Sequence, residues 1–508
     1  MKRNKLSLVI ISILVLILSI VGLSLFVKGN VGGAYQYDYS TAVGGPFESS
    51  NTTSRYMLTE VMAKEHTYYF NEQQAHFSAP DVVYYKNKFF SIFTPGISYL
   101  AVPLYLVGDM VGLPQLFAFF TTLIFAVLNV FLVARLASKF GANSYLGYAL
   151  GLTFLFGTNA LAYSLTLTQH HYSVSVLLLA ILNALEERRT VWNNIAFGLI
   201  FTAGILFDVP NAFMMTPLAI FVAAKHFEVT SREKILKVFI NPLGVLVVLG
   251  MIPLLSLFAY YNLHTSGAPT LIGQNLGQSD YFDPPAKKQQ KILNDLKEVS
   301  SSVKTPFNTR KQLSGFYVLL FSDERGIFYY DLVVLCGIIG LLLSYRSRKT
   351  LVSLVSSVIL VNIVLYSAFG DAWGGWSFGP RYLIPTVALL LASAGSLATI
   401  KMRMWKYVFA TLFVVTLLYS VYINTMGALT TNAIPPKVEA LALPQPLPYT
   451  YKYNFDLAQE NKSSSLLYNA TFKNSISLST YHLVIYVSLA AIISALFGFG
   501  ISRKEKKS

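Results

Sequence analysis

The sequence predicts an all-α polytopic membrane protein with about 12 transmembrane helices and one juxtamembrane or re-entrant helix in a long first outer loop. Three observations carry this fold class. Apolar residues make up 54% of the 508 and charged ones only 12%, at a mean hydropathy of +0.52, whereas soluble domains hold charge at roughly a quarter of their residues. The apolar residues gather into repeated runs long enough to cross a hydrocarbon core of about 30 Å. Basic residues recur in alternate connections between those runs. A soluble fold is excluded. The single cysteine, Cys336, lies inside an apolar run, so neither an intrachain disulfide nor a thiolate metal cluster enters the reading.

The first run, 6–27, follows Lys2, Arg3 and Lys5. It is too long for a signal peptide and has no small-residue cleavage site before Lys28, so it reads as a retained helix that starts inside. Further runs lie at 115–133, 145–163, 171–185, 191–207, 211–224, 242–261, 327–343, 351–369, 382–400, 407–424 and 483–501. A thirteenth run, 96–112, decides the topology, because counting it as a crossing inverts everything after it. If it does not cross, Arg135 and Lys139, Arg188 and Arg189, and the basic residues within 225–237, 346–349, 401–406 and 503–507 all share the side of the N-terminus. That side then holds 21 basic residues against the five acidic residues Glu186, Glu187, Glu228, Glu233 and Glu505, within a formal net charge of +15 for the chain. Both termini are accordingly expected in the cytoplasm of a multi-pass cell-membrane protein. The basic excess is spread over every inner connection and forms no single stripe, which argues against nucleic acid as a partner. No inner connection carries a GxxxxGK[ST] loop, so an ATP-driven pump is not expected either.

The segments placed outside are about 28–114, 262–326, 370–381 and 425–482, and function is sought there. The first holds Asp38, Glu48, Glu60, Glu65, Glu72 and Asp81 among many tyrosines, Tyr37 and Tyr39 flanking Asp38. Tyrosines beside carboxylates suit a sugar site, with rings stacking on the apolar face of a pyranose and carboxylates accepting hydroxyl protons. An interfacial aromatic belt with solvated carboxylates accounts for the same composition. Residues 54–65 read as a short amphipathic helix along the membrane surface. His170 and His171 stand at the outer end of a span; neighbours on a helix point about 100° apart, so they do not share a metal. Asp208 ends an otherwise apolar span, where a charge is disfavoured by up to about 3 kcal/mol unless it faces a cavity. The sharpest cluster is the outer loop 371–382, with Trp373, Trp376, three glycines and Arg381. Glycines let backbone approach a ligand, and arginine matches phosphate oxygens bidentately. Arg325, in Ser322-Asp-Glu-Arg-Gly326, is a second arginine at the same kind of boundary.

The order of these pieces resembles the GT-C superfamily of integral-membrane glycosyltransferases, specifically relatives of the dolichyl-phosphate-mannose protein mannosyltransferases. Ser54-Arg55-Tyr56, Ala79-Pro-Asp81, Phe90-Ser91, Thr94-Pro-Gly96 and Ala101-Val-Pro-Leu-Tyr105 are similar to that group's first outer loop. His170, Arg325-Gly326 and Trp373-Gly-Gly-Trp-Ser-Phe-Gly-Pro-Arg-Tyr382 continue the match, which runs to about residue 400. The resemblance implies a catalytic transmembrane module over 1–265 with its first outer loop at 28–114. Further helices over 266–424 carry outer loops 262–326 and 370–381, and 425–508 adds an outer loop and a terminal helix. It also implies a transferase that takes a sugar from a polyprenyl-phosphate carrier to a glycan, lipid or protein acceptor on the outer face. The chain departs from the group in having Phe93-Thr94 where relatives often place a lysine, and in having Asp38 alone where the mannosyltransferases place an Asp-Glu pair.

The mechanism expected is a single displacement. A first-loop carboxylate deprotonates the acceptor, Asp38 ranking first, Asp81 second and Glu48 third. Arg381, Arg325, His170, Arg55, Trp373, Trp376 and Asp208 are the expected substrate and phosphate contacts. Some relatives bind a divalent ion, but the sequence holds no unambiguous ligand set, so no cofactor follows from it. The rival readings are a flippase for a lipid-linked saccharide, which predicts charges near mid-span lining a path, and a membrane protein without chemistry.

Overall fold

The computed structural model describes residues 2–29, 44–232, 235–283 and 309–502. Asp38 and its flanking tyrosines, the basic tail 503–507 and part of the second outer segment lie outside these residues. Every one of the thirteen apolar runs coincides with an apolar helix. Six are long and apolar enough to cross a membrane: Pro114–Lys139, Pro242–Thr265, Lys349–Ser367, Arg381–Thr399, Arg403–Leu429 and Leu478–Ser502. Seven more are shorter, at 10–17 residues: Leu8–Ser24, Gly96–Met110, Ser144–Phe156, His170–Ala184, Val191–Phe207, Pro210–Ala224 and Leu332–Ser344.

Helix α1 (Lys2–Ser24) leads into the first loop. There α2 (Ser50–Glu60) is capped by the Ser49 side chain, which accepts from the Asn51 N–H, and runs on as a wider turn over Val61–Glu65. This element is not a surface helix as the pattern of 54–65 predicted. Arg55, Tyr56, Met57 and Leu58 are all buried, because the polar side that the sequence assigned to solvent is covered by the next apolar helix. A capping box between Asn71 and Gln74 starts α3 (Glu72–Ser78). Strands β1 (Val82–Tyr85) and β2 (Lys88–Ser91) then form a hairpin, its two-residue turn Lys86-Asn87 having φ of 50° and 59°. Two successive left-handed residues match the twist of a tight hairpin.

Helix α4 (Gly96–Met110) is the run that decides the topology. It lies alongside α2 in the same direction: Ser98 Oγ donates to the Arg55 carbonyl at 2.9 Å near one end, and Asp109 pairs with Lys64 at 2.9 Å near the other. The chain then reverses at Gly112 into α5 (Pro114–Lys139). An Asn143 cap starts α6 (Ser144–Phe156), which ends at Phe156, seven residues before the end of the apolar run. Residues 157–169 form a compact buried segment before α7 (His170–Ala184). Thr190 caps α8 (Val191–Phe207), and α9 (Pro210–Ala224) follows directly after Asp208 and Val209. A hairpin of β3 (Phe227–Arg232) and β4 (Ile235–Ile240) precedes α10 (Val245–Thr265).

Small residues set the spacing of the apolar helices. A Cβ on Gly151 of α6 would collide with the Val130 carbonyl of α5, and one on Gly198 of α8 with the Val247 carbonyl of α10. With lipid around them, helices gain from such close approach through dispersion contacts rather than through expulsion of water. The segment after Arg403–Leu429 returns to the start of the chain: the Leu466 N–H donates to the Val27 carbonyl at 2.8 Å and Ser465 Oγ to that of Leu25 at 2.7 Å. The exit of α1 and the last extramembrane segment are thus joined on one side.

Candidate functional site

The glycine-rich loop 371–381 is built on positive φ. Gly374, Gly375 and Gly379 have φ of 72°, 63° and 62°, a region closed to most side chains. Asp371 Oδ1 accepts from the Gly374 N–H at 3.1 Å. Tyr163 pins the far end, its hydroxyl donating to the Phe378 carbonyl and accepting from the Phe378 N–H, both at 3.0 Å. A Cβ on Gly374 would lie 2.8 Å from Arg381 Nε, so glycine there is what admits the guanidinium. Arg381 stands 5.3 Å from the Tyr382 ring, and Tyr382 stacks on Tyr366 at 4.3 Å. Its Nε is buried and has no hydrogen-bond partner.

Arg325 is placed differently. It is fully buried and its donors are taken: Nε by the Trp373 carbonyl and Ser377 Oγ, Nη1 by the Glu324 carbonyl, Nη2 by the carbonyls of Gly375 and Ile434. Burial strips its hydration and lowers its pKa. This arginine organises the loop from behind.

Arg381 and Trp376 line a cleft together with Pro46, Glu48, Ser49, Thr52, Tyr163, Thr166, Thr168 and Asn432. Three of the residues singled out from sequence, Glu48, Trp376 and Arg381, thereby meet from distant parts of the chain. Glu48 forms a buried ion pair with Lys28 at 2.6 Å. Its oxygens also accept from the N–H groups of Gly44 and Asn432, each at 3.0 Å.

Arg55 lies in the same electrostatic neighbourhood. It is buried, its guanidinium 3.9 Å from the Phe93 ring, and Nη1 donates to the Asn51 side chain and carbonyl, while Nε and Nη2 have no partner. Burial lowers its pKa to about 10 against the opposing fields of Asp208 and Asp81, with Arg381 adding to the lowering. Asp208, between α8 and α9, is buried and raised to about 6 by desolvation, which the charges of Arg55 and Arg381 oppose. Asp81 is held by Ser50 Oγ at 2.7 Å and Gln278 Nε2 at 2.8 Å. His170 packs edge-on against Tyr163 at 4.9 Å, with Nε2 buried and unpartnered. His171 points elsewhere, its Nε2 donating to the Ala160 carbonyl at 2.9 Å. Trp373 contributes its carbonyl to Arg325 and Ser377.

Sequence reasoning missed Lys28, Tyr163, Asn432 and Glu439. Asn432 lines the cleft and donates Nδ2 to the Ala162 carbonyl at 2.6 Å. The Trp376 indole N–H donates to Glu439 at 2.6 Å. Among the described residues no three of His, Cys, Asp and Glu gather as a metal-ligand group.

Among solved structures, the chain is similar to ArnT from Cupriavidus metallidurans in the apo state, at 12% identity and a TM-score of 0.45, over 98% of this chain and 77% of that one. The same protein bound to undecaprenyl phosphate gives 13% and 0.46, over 98% and 78%. The apo form of the Archaeoglobus fulgidus oligosaccharyltransferase gives 12% and 0.46, over 85% of this chain and 57% of that one, so this chain spans little more than half its length. No family model matches the sequence, and no curated protein matches it.

Proposed function

We propose that the protein is a GT-C-type membrane glycosyltransferase that moves a hexosyl or pentosyl group from a polyprenyl-phosphate donor to an acceptor on the outer membrane face. The observation that carries this reading is the cleft, where an arginine with an unpartnered buried Nε, a tryptophan and a hydroxyl-rich wall of Ser49, Thr52, Thr166 and Thr168 converge. In this reading twelve helices cross, α4 does not, and both termini are cytoplasmic. The lipid phosphate enters from the bilayer and meets Arg381, with Arg55 and His170 behind it.

Transfer is a single displacement. The acceptor oxygen bonds to the anomeric carbon, its proton goes to a carboxylate, and the bond from that carbon to the phosphate oxygen breaks with its electron pair leaving on the phosphate. A guanidinium gains strength as that charge develops. Asp38 is the first choice of base. Asp81 is the second, oriented by Ser50 next to the cleft residue Ser49. Glu48 acts by holding the wall, since both of its oxygens are already occupied. Arg325 positions the loop, and Asp208 balances the two arginines.

A flippase would use similar residues. Against it, Asp208 and Arg381 sit at helix ends rather than along a path through the bundle. Incubating the purified protein with labelled polyprenyl-phosphate sugars tests the reading. Turnover supports the transferase, translocation without turnover replaces it by a flippase, and neither leaves a protein without this chemistry.

A further inference from the structure

We propose that Trp376 is the stacking platform for the donor's sugar ring and that Glu439, on a strap that meets the cleft at Asn432, is the residue that positions it. The inference rests on the reading of the cleft as a lipid-phosphate sugar site and goes beyond it by naming what grips the sugar.

The strap runs over residues 430–439, of which Asn432 lines the cleft, and hydrogen bonds tie it to neighbouring elements along its length. Near its start the Asn432 N–H donates to Glu48 and its Nδ2 to the Ala162 carbonyl. In the middle the Ile434 carbonyl accepts from the Ser377 N–H at 2.9 Å and from Arg325 Nη2 at 2.7 Å. Beyond it the Lys437 N–H donates to Glu324 at 2.8 Å, and at its end Glu439 Oε2 accepts from the Trp376 indole at 2.6 Å.

The last bond has a geometric consequence. An indole N–H lies in the ring plane, so a partner there restrains the direction in which the ring points without itself covering either face. Trp376 is 37% exposed on a cleft-lining position, and among the described residues no aromatic ring stacks on it. An apolar face held open beside threonine and serine hydroxyls and the unpartnered Asn432 Oδ1 matches a ring with one C–H face and several hydroxyls. A lipid tail would use the face but not the hydroxyls; a bare phosphate would use the hydroxyls but not the face.

The test uses the full chain in lipid nanodiscs with 5-fluorotryptophan at its four tryptophans. The fluorine resonance of Trp376 is identified by its loss in Trp376→Phe. Glu439→Leu should move that resonance, and Glu439→Gln, which keeps a carbonyl acceptor, should hold it near its original position. With the polyprenyl-phosphate sugar that the protein turns over, Glu439→Leu should raise the donor KM about tenfold and change kcat by less than about twofold, with Glu439→Gln restoring KM. Inhibition by undecaprenyl phosphate, which has the lipid and the phosphate but no sugar, should be unchanged. A resonance indifferent to Glu439→Leu overturns the positioning role. A parallel loss of undecaprenyl phosphate inhibition overturns the sugar role and assigns the pair to the lipid or phosphate. Absence of turnover with every lipid sugar removes the glycosyltransferase reading and the sugar role with it, while the resonance still reports whether Glu439 holds Trp376.

Discussion

Arg381 reaches the cleft because Gly374 has no side chain to block its Nε, and its value lies in an uncommitted donor held in a fixed fork. Arg381→Ala should lower transfer by roughly two orders of magnitude, the scale of a lost transition-state donor, and Arg381→Lys should fall between, keeping the charge without the fork; rates on purified protein check both. Lys28 and Glu48 make the opposite case, two buried charges that satisfy each other. Removing either leaves an uncompensated charge, so Lys28→Met and Glu48→Leu should each destabilise by about 3–5 kcal/mol and the double variant by less than either alone. A double-mutant cycle on thermal or denaturant unfolding measures the coupling. Asp208 adds a pH dependence. Its carboxyl is raised from 3.8 to about 6 by burial, so the folded state binds the proton more tightly than the unfolded one. Its contribution to stability is therefore present below the unfolded value and lost as pH rises through about 6. The stability difference between wild type and Asp208→Asn should change across that window and level off on either side. Arg381, Arg55, Trp376 and Asp208 were legible in the sequence because charge, glycine and tryptophan stand out against an apolar background. Lys28 and Asn432 were not: the bond from Asn432 to Glu48 spans 384 positions, and no local pattern encodes it.

Helices were legible where a long apolar run had nothing to interrupt it, and misjudged where burial came from tertiary contact. The 54–65 helix reads as amphipathic because Arg55 and Glu60 are polar, yet both are buried against neighbours that a period cannot reveal. The end of α6 was misplaced for a related reason. Gly157, Thr158 and Asn159 are uncharged and sit within an otherwise apolar run, but Asn159 turns its N–H to Asp331 at 2.8 Å instead of extending the helix. Hydropathy also says nothing about how closely two helices approach. Gly198 of α8 faces the Val247 carbonyl and Gly250 of α10 faces the Ile195 carbonyl, a reciprocal contact between helices that otherwise meet lipid. Since α10 has only 11% of its apolar window buried, few other contacts hold it in place. Gly198→Leu should therefore detach α10 from α8 and lower the melting temperature in detergent, whereas Leu249→Ala on the exposed side of α10 should change it little. Equal losses would mean that the close approach of α8 and α10 contributes nothing.

At the scale of the whole molecule, parity supports the proposed sidedness. Ser49 and Thr52 of the first loop line the same cleft as Arg381, so the chain must return to one side of the membrane between them. Among the described residues, nine apolar helices separate residue 52 from residue 381 when α4 is counted and eight when it is not. A single crossing by each of eight brings the chain back; nine would put the two halves of one cleft on opposite faces. The same argument holds further on, since two helices separate Arg381 from Asn432, which bonds to Glu48. The contacts of α4 agree, both of its ends touching the α2 element beside it. In the proposed topology the basic residues of the inner connections face the cytoplasm, and the first loop faces out. Lys86, exposed at the tip of the outer hairpin, and Arg188, exposed between α7 and α8, are the two positions that separate the alternatives. The only native thiol, Cys336, is buried and adds no background. In intact cells an impermeant thiol reagent should label Lys86→Cys and leave Arg188→Cys untouched until the membrane is opened. Labelling of both from the outside would mean that α4 crosses, and the cleft would then have no common side on which to form.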